Sequence, residues 1–529
     1  VNSSGYNRRM EPYHEKGAAP EGDSEEALRR NLLKTTGRAG KVFAARILSQ
    51  IAALTAGVVY ARFLGADLYG VFQLAITAVS VLSLLAAFGM SPGLIRYLPI
   101  FKADGKMNDL KGTVNFALSL GLFLSVAAAL ALYLGRQFVS LSVFSEPRLS
   151  GILPLFSLVL VFYSLGAILG GVIQAEGEAH VFITFRYVLD HLASVSFFLV
   201  FYLTLGTKLL GASWAKVFAS FLTVFLAGRW VVRRFPFLWK KPLFPTARKR
   251  EFLLYSASLL FVGFTYFLMN QVNNLLVGMY SVSRQVGFYS VGNVVAGVII
   301  FVLISFNLIF APLISELYHR GQHETLAKMY SAVTRLVWIF TLPIFIWVLV
   351  YSRSILSIFG EEFAAAKWVL IFLAIGQFVN AAVGPNGLML SMSGHQKWEV
   401  FNGVAVALLN IGVNMVLIPR YGATGAALGG ALALVAVNLA KTLEVWYVMK
   451  MLPYNGKFFK PMTGGVVGAV GLLILKRLLG EGALYAALGA AVSGALVLGT
   501  VFLLGLEEED KFLLRAVRSR IVSLVGKGD

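Results

Sequence analysis

Ionisable and amide side chains recur inside segments that are otherwise apolar, and these positions could do chemistry. Arg46 lies in ARILSQ, about one helical turn into the first apolar run. Arg186 and Asp190 stand four apart with His191 beside them. On a helix that spacing shares a face, so Arg186 and Asp190 can form an ion pair, or Asp190 or His191 can carry a coupling proton. Asn270, Gln271, Asn273 and Asn274 form an amide cluster in which Asn270 and Asn274 share a face. Such amides bind sugar hydroxyls or join helices to one another. Asn293, Asn307, Asn380, Asn386, Asn410 and Asn414 extend the polar character through the second half of the chain. Lys441 and Glu444, three apart, offer another pair, while Lys216 and Arg335 lie near segment starts, where snorkelling accounts for them.

The absence of cysteine removes disulfides, thiolate chemistry and cysteine-based metal sites. There is no GxxxxGK(S/T) run, no HExxH and no extramembrane segment long enough for a nucleotide-binding domain. No catalytic residue, metal or cofactor is therefore expected, and the chain reads as a non-enzyme. A charge at bilayer depth costs at least about 2.5 kcal/mol on insertion scales. Arg46 therefore either snorkels to the headgroups or faces a cavity.

The elements that position these residues are membrane spans. The 529 residues are 58% hydrophobic and 14% charged, with a mean hydropathy of +0.75. A soluble single-core protein could not carry that composition on its surface. Apolar runs of about 20 residues repeat from Ala44 to Leu504 without the alternation of barrel strands. The expected fold is an all-α polytopic membrane protein of about 14 transmembrane helices, in two six-helix pseudo-symmetric lobes plus two C-terminal helices. The expected divisions are a tail over 1–41, a first lobe over 42–232, a basic linker over 233–251, a second lobe over 252–449, the last two spans over 450–505 and an amphipathic tail over 506–529. The first 40 residues lack an apolar signal region, so no cleaved signal peptide is expected.

The net charge of +20 could suggest nucleic acid, but Lys and Arg cluster between spans, which excludes a single nucleic-acid-binding face. Counted by these spans, one set of loops with both tails holds about 31 Lys and Arg and the opposite set about 10. Both termini are thus expected in the cytoplasm. The halves overlay with one offset, Gly70 onto Gly287, Gly170 onto Gly387 and Gly177 onto Gly394, each 217 residues apart. An even number of spans per unit lets both lobes begin on the same side.

YARFLGADLYGVF (Tyr60–Phe72), FGMSPGLIRYL (Phe88–Leu98), VGFYSVGNVV (Val286–Val295) and the turns after Gly177 and Gly394 resemble the polysaccharide flippases of the multidrug/oligosaccharidyl-lipid/polysaccharide exporter superfamily. The resemblance covers roughly residues 35–450. It implies a two-lobed transporter of a bacterial or archaeal cytoplasmic membrane with a central cavity that opens alternately to each side. The implied cargo is an undecaprenyl-diphosphate-linked oligosaccharide, handled by a monomer working among membrane lipids beside a glycan polymerase and glycosyltransferases. Arg46 in ARIL matches an arginine that the lipid II branch carries early in span one, and Asn293 falls where that branch has an arginine in span eight. With Asn270 and Asn274, these are the expected substrate-binding residues; Arg186, Asp190 and His191 are the expected ion-coupling group. Two alternatives are a cation-coupled drug exporter, which would rely on Asp190, and a membrane-embedded glycan polymerase, which the short external loops disfavour.

Overall fold

The computed structural model describes residues 21–239 and 249–511, with side chains described from residue 40 onward apart from 262, 266, 268–270, 308 and 309. The described chain is helix joined by short turns, with no strand. The first half comprises α1 (Glu21–Ala87), α2 (Met90–Ala103), α3 (Met107–Leu134), α4 (Leu149–Ala175), α5 (Ala179–Ile183), α6 (Asp190–Leu205) and α7 (Leu209–Arg234). The second comprises α8 (Lys249–Tyr280), α9 (Ser283–His319), α10 (His323–Val350), α11 (Ser352–Ser357), α12 (Lys367–Ala382), α13 (Asn386–Met392) and α14 (Gln396–Met449), followed by α15 (Phe459–Leu479) and α16 (Ala483–Leu503).

Among the described residues, eleven helical stretches are long and apolar enough to cross a membrane, so the protein is a multi-pass membrane protein. Two of these stretches, 64 and 54 residues long, exceed the roughly 20 residues that one crossing needs. Both turn at a glycine whose backbone other residues rarely adopt: Gly65 (φ 76°, ψ 168°) divides α1, and Gly422 (φ 57°, ψ −135°) divides α14. At each break the next amide finds a side chain in place of a helical carbonyl. Ala66 N–H donates to Glu362 Oε1 at 2.7 Å, and Ala423 N–H donates to Gln285 Oε1 at 3.1 Å. A buried amide left unpaired would cost more than the bond gains, so these caps hold the turns in place.

Three more interruptions shape the bundle. The helix that follows the Gly65 turn breaks at Phe88 (φ 47°) and Gly89 (φ 65°) and resumes as α2 through Ala103. Residues Thr184–Leu189, between α5 and α6, are wound as π-helix. The break between α12 and α13 frees the carbonyls of Ala382 and Val383, which accept from Trp338, Tyr454 and Tyr330.

In the first half, α4 packs against α1, α3 and α7 around Tyr60, Phe72 and Phe156, with ring centroids 4.9 and 5.7 Å apart. In the second half, α9, α10, α12 and α14 pack together, with α15 and α16 paired against α10. Large apolar side chains such as Phe123, Phe225, Leu408 and Leu503 lie exposed on the outside, which suits a lipid solvent.

The halves meet chiefly where α1 crosses α9. A methyl group at Gly70 would overlap the Ser283 carbonyl, and one at Gly287 would overlap the Ala66 carbonyl. Small residues let the two backbones touch there. Above this crossing, Ser283 donates to Asp67 at 2.6 Å, and Arg148 donates to Asp67 at 2.5 and 3.0 Å, to Glu146 at 2.8 Å and to Ser283 Oγ at 3.2 Å. Arg284 adds an ion pair with Glu362 at 3.6 Å. This network latches the two halves at the end of the bundle that carries the Gly65 turn.

Candidate functional site

The charged residues of the first half converge on α1, the π-helical stretch, α6 and α7. Arg46, exposed on α1, places its guanidinium 5.9 Å from the centre of the Tyr187 ring. The Arg186 guanidinium lies 5.9 Å from the same ring and 3.7 Å from the ring of Tyr163. Lys216 Nζ approaches Tyr163 at 5.5 Å and donates to Asp190. Cation–π contacts of this kind strengthen where water is excluded. His191 is anchored through Nδ1, 2.5 Å from the Tyr187 carbonyl oxygen one turn earlier.

Lys216 and Asp190 are both buried, and Asp190 Oδ1 has no hydrogen-bond partner among the described residues. Tyr60 caps the same region by donating to the Ser194 carbonyl at 3.0 Å. Arg186 and Lys216 thus lie around one carboxylate, Asp190, and Arg46 adds a third cation beside the Tyr187 ring. An arrangement with that imbalance attracts anions, and two guanidiniums near one ring can donate to separate phosphate oxygens.

Arg46, Arg186, Asp190 and His191 are therefore neighbours, but their pairing differs from the sequence expectation. Asp190 takes Lys216 as its partner, and Arg186 stacks on Tyr163. Lys216 does not snorkel; it lies inside the half-bundle with 5% of its surface exposed. Sequence reasoning missed Tyr163 and Tyr187 altogether, since tyrosine is unremarked in an aromatic-rich chain. Lys216 was visible as a lone cation within WAKVFAS, and its depth in an apolar run was the available signal.

The amides of the second half form separate groups. Asn274, buried on α8, donates to Gln271 Oε1 at 3.3 Å and accepts from Ser290 at 3.4 Å. Asn293 is half-buried on α9. The side chain of Asn270 lies outside the described residues. Asn273 donates to Tyr289 at 2.8 Å and accepts from Asn410 and Asn414, each at 2.9 Å. This network ties α8 to α9 and α14, and serves packing.

Two other expectations are corrected. Lys441 pairs with Glu399 at 2.6 Å, while Glu444 accepts from Asn402 at 2.6 Å, so the two do not pair with each other. Arg335 does not reach for headgroups: with 2% exposure it is gripped by both carboxylate oxygens of Asp510. The amphipathic face expected beyond residue 511 lies outside the described residues.

Glycine-broken spans and two halves crossing at small residues define an all-α multi-pass membrane protein. A family model described as "Polysaccharide biosynthesis protein" matches residues 40–318, more than half of the chain, and the chain belongs to that family. The MatE family model matches residues 259–416. The "Probable low-salt glycan biosynthesis flippase Agl15" of Haloferax volcanii is 30% identical over 205 residues, which is 38% of this chain and 42% of that protein. The chain thus spans less than half the length of this relative. Among solved structures, the lipid II flippase MurJ in its inward closed conformation superposes with a TM-score of 0.68 at 14% identity, over 87% of this chain and 98% of that one. An inward-facing multidrug resistance MATE family transporter gives 0.61 at 14% identity, over 76% and 94%. At such identity the likeness shows the fold.

Proposed function

We propose that the protein is a flippase that carries a polyprenyl-diphosphate-linked oligosaccharide, of the undecaprenyl kind, from the cytoplasmic to the outer leaflet by alternating access. The observation that carries this reading is the charge of the first-half cluster: Arg46, Arg186 and Lys216 against Asp190 alone. A diphosphate meets complementary charge there, whereas a cationic drug would meet repulsion. The family membership and the name of the Haloferax relative agree with glycan transport. The drug-exporter reading would need a carboxylate free to take a cation, and Asp190 is already engaged by Lys216.

In this reading Arg46, at the mouth of the cluster, grips the diphosphate first, and Arg186 takes the second phosphate across Tyr187. Both termini and the basic segment after α7 face the cytoplasm, which puts the Asp67–Arg148–Ser283 latch on the outer surface. Cargo loads while the latch is closed and leaves when it opens. Asn274 and Asn293 contribute amides for sugar hydroxyls from the second half. His191, beside the Lys216–Asp190 pair and Arg186, is the group left to couple the lobe to an ion gradient.

The test is transbilayer movement of a fluorescent lipid-diphosphate oligosaccharide in proteoliposomes. Wild-type protein is expected to move it, and Arg46→Ala and Arg186→Ala to slow it about tenfold each, as loss of a charge-assisted phosphate contact predicts. Movement of a cationic dye with no movement of any lipid diphosphate would replace this reading with drug export.

A further inference from the structure

A second basic site lies at the end of the bundle opposite the Gly65 turn. A cleft of about 620 Å³ opens between the C-terminal end of α7, the turn after α4 and the start of the π-helical stretch. Arg229, Trp230, Arg233 and Arg234 line one wall, with Glu176 and Phe185 opposite. The volume is within the range of sites that hold small molecules.

The charges in this cleft are unevenly matched. Glu176 has a side chain only 6% exposed and is neutralised twice, by Lys102 at 2.8 Å and by Arg234 at 3.1 Å. Glu178 faces His180 at 3.4 Å. Arg229 and Arg233 stand one helical turn apart on the same face of α7. Both are exposed, and neither has a carboxylate partner among the described residues. Arg233, in the last turn of α7, is favoured there by the helix dipole without any acid to neutralise it. Trp230, half-buried between the two arginines, and Phe185 across the cleft supply an apolar wall. Tryptophan with arginine at the end of a span is the arrangement that settles at headgroup depth.

We propose that this cleft binds the phosphate of a lipid headgroup, with Arg229 and Arg233 donating to its oxygens and Trp230 and Phe185 against the glycerol or prenyl boundary. Basic pockets between spans are suited to anionic headgroups. The site is separate from the Arg46 cluster yet touches it through one segment: Phe185 lines the cleft, and the next residue, Arg186, stacks on Tyr163. A lipid seated in the cleft therefore bears on the stretch that presents Arg186 and Tyr187.

The phosphate has two sources, a resident anionic phospholipid or a polyprenyl diphosphate waiting at the surface. Delipidated protein titrated with short-chain phosphatidylglycerol, with a short-chain polyprenyl diphosphate, with phosphatidylcholine and with inorganic phosphate separates them, read by native mass spectrometry and thermal midpoint. One of the first two is expected to bind about tenfold more tightly to wild-type protein than to Arg229→Gln/Arg233→Gln. The neutral lipid and inorganic phosphate are expected to bind both proteins equally weakly. Arg320→Gln, a change at an exposed arginine outside the cleft, is expected to bind as wild type. Tighter binding of phosphatidylglycerol assigns the resident source, and tighter binding of the diphosphate assigns the waiting cargo. Equal binding of both anionic lipids to wild type and double variant overturns the proposal, as does equal affinity for phosphatidylcholine. Because both arginines are exposed, the double variant is expected to keep its elution volume and lipid-free thermal midpoint, and the diphosphate translocation assay separately tests the flippase reading.

Discussion

Gly70 and Gly287 lie back to back where α1 crosses α9, each against the other half's backbone: Gly70 on the Ser283 carbonyl and Gly287 on the Ala66 carbonyl. The offset of 217 that carries Gly70 onto Gly287 also carries Ala66 onto Ser283, so the two contacts exchange under it. The same holds within the halves. A methyl at Gly170 would overlap Phe182 and one at Gly387 would press on Glu399, again matched pairs, and Gly177 and Gly394 share left-handed conformations with φ 79° and 86°.

Because the Gly70 contact is with backbone, no rotamer change can absorb an added methyl. Gly70→Ala must separate the helices, and overpacking of this kind costs about 1–3 kcal/mol. The expected outcome is a thermal midpoint several degrees lower, with Gly494→Ala, where a methyl would meet open space, near neutral. Equal midpoints for the two variants would show that the crossing yields more easily than the geometry allows.

The glycine offset of 217, though not the contacts it brings together, was legible because a single sequence displays a fixed spacing. Charge partners were not. Arg186 and Asp190 have the spacing of a helical pair, but Thr184–Leu189 is π-helix, whose wider turn rotates the following residues out of phase. Asp190 consequently meets Lys216, 26 residues away, by a tertiary contact that no local period encodes. Arg335 and Asp510, 175 residues apart, are hidden for the same reason. An apolar run with a cation near its end is consistent with both snorkelling and burial, and packing alone decides between them.

Removing one member of the Lys216–Asp190 pair strands the other in a buried site, which costs about 3–5 kcal/mol where measured in proteins. Lys216→Met and Asp190→Asn should each lower the yield of folded protein and the thermal midpoint. The double variant should recover most of the loss, since a neutral pair leaves no uncompensated charge. A double variant no better than the worse single one would mean that each residue acts through different neighbours, Lys216 through Tyr163 and Asp190 through its free oxygen.

Asp510 anchors the segment after α16 by closing on Arg335, while Lys457 donates to Glu509 at 2.8 Å and Lys460 to Glu507 at 2.6 Å. The two surface pairs are partly exposed and contribute little each. Arg335 is not exposed, so Asp510→Ala should release residues 505–511 to limited proteolysis while Glu507→Gln should not. Equal protection in Asp510→Ala would place the anchoring energy in the exposed pairs.

The latch lies at the Gly65 turn, where α1 breaks between two crossings, and its carboxyls, of which Asp67 is half exposed, answer to pH in a defined direction. Hydrogen bonds from Arg148 hold both Asp67 and Glu146 below the ordinary carboxylate range, with Ser283 adding to each. Arg148 is correspondingly raised, first by Glu146 and then by Asp67. A depressed carboxyl contributes stability to the closed latch that is fully present above its ordinary pKa of about 4 and is lost as pH falls through the depressed value. Closure is thus expected to be flat between about pH 8 and 5 and to weaken only in more acid solution. Asp67 and Arg148 are about half exposed, so salt should loosen the latch before acid does. The chain has no cysteine, and a single cysteine at Val286, buried beside the crossing, reports opening by its rate of maleimide labelling. With the maleimide's own pH dependence corrected for, that rate should stay low from pH 8 to 5, rise with added salt and rise most in Arg148→Gln. A rate that climbs between pH 8 and 6 would assign closure to a group titrating near neutrality, which Asp67 and Glu146, both held below the ordinary carboxylate range, are not.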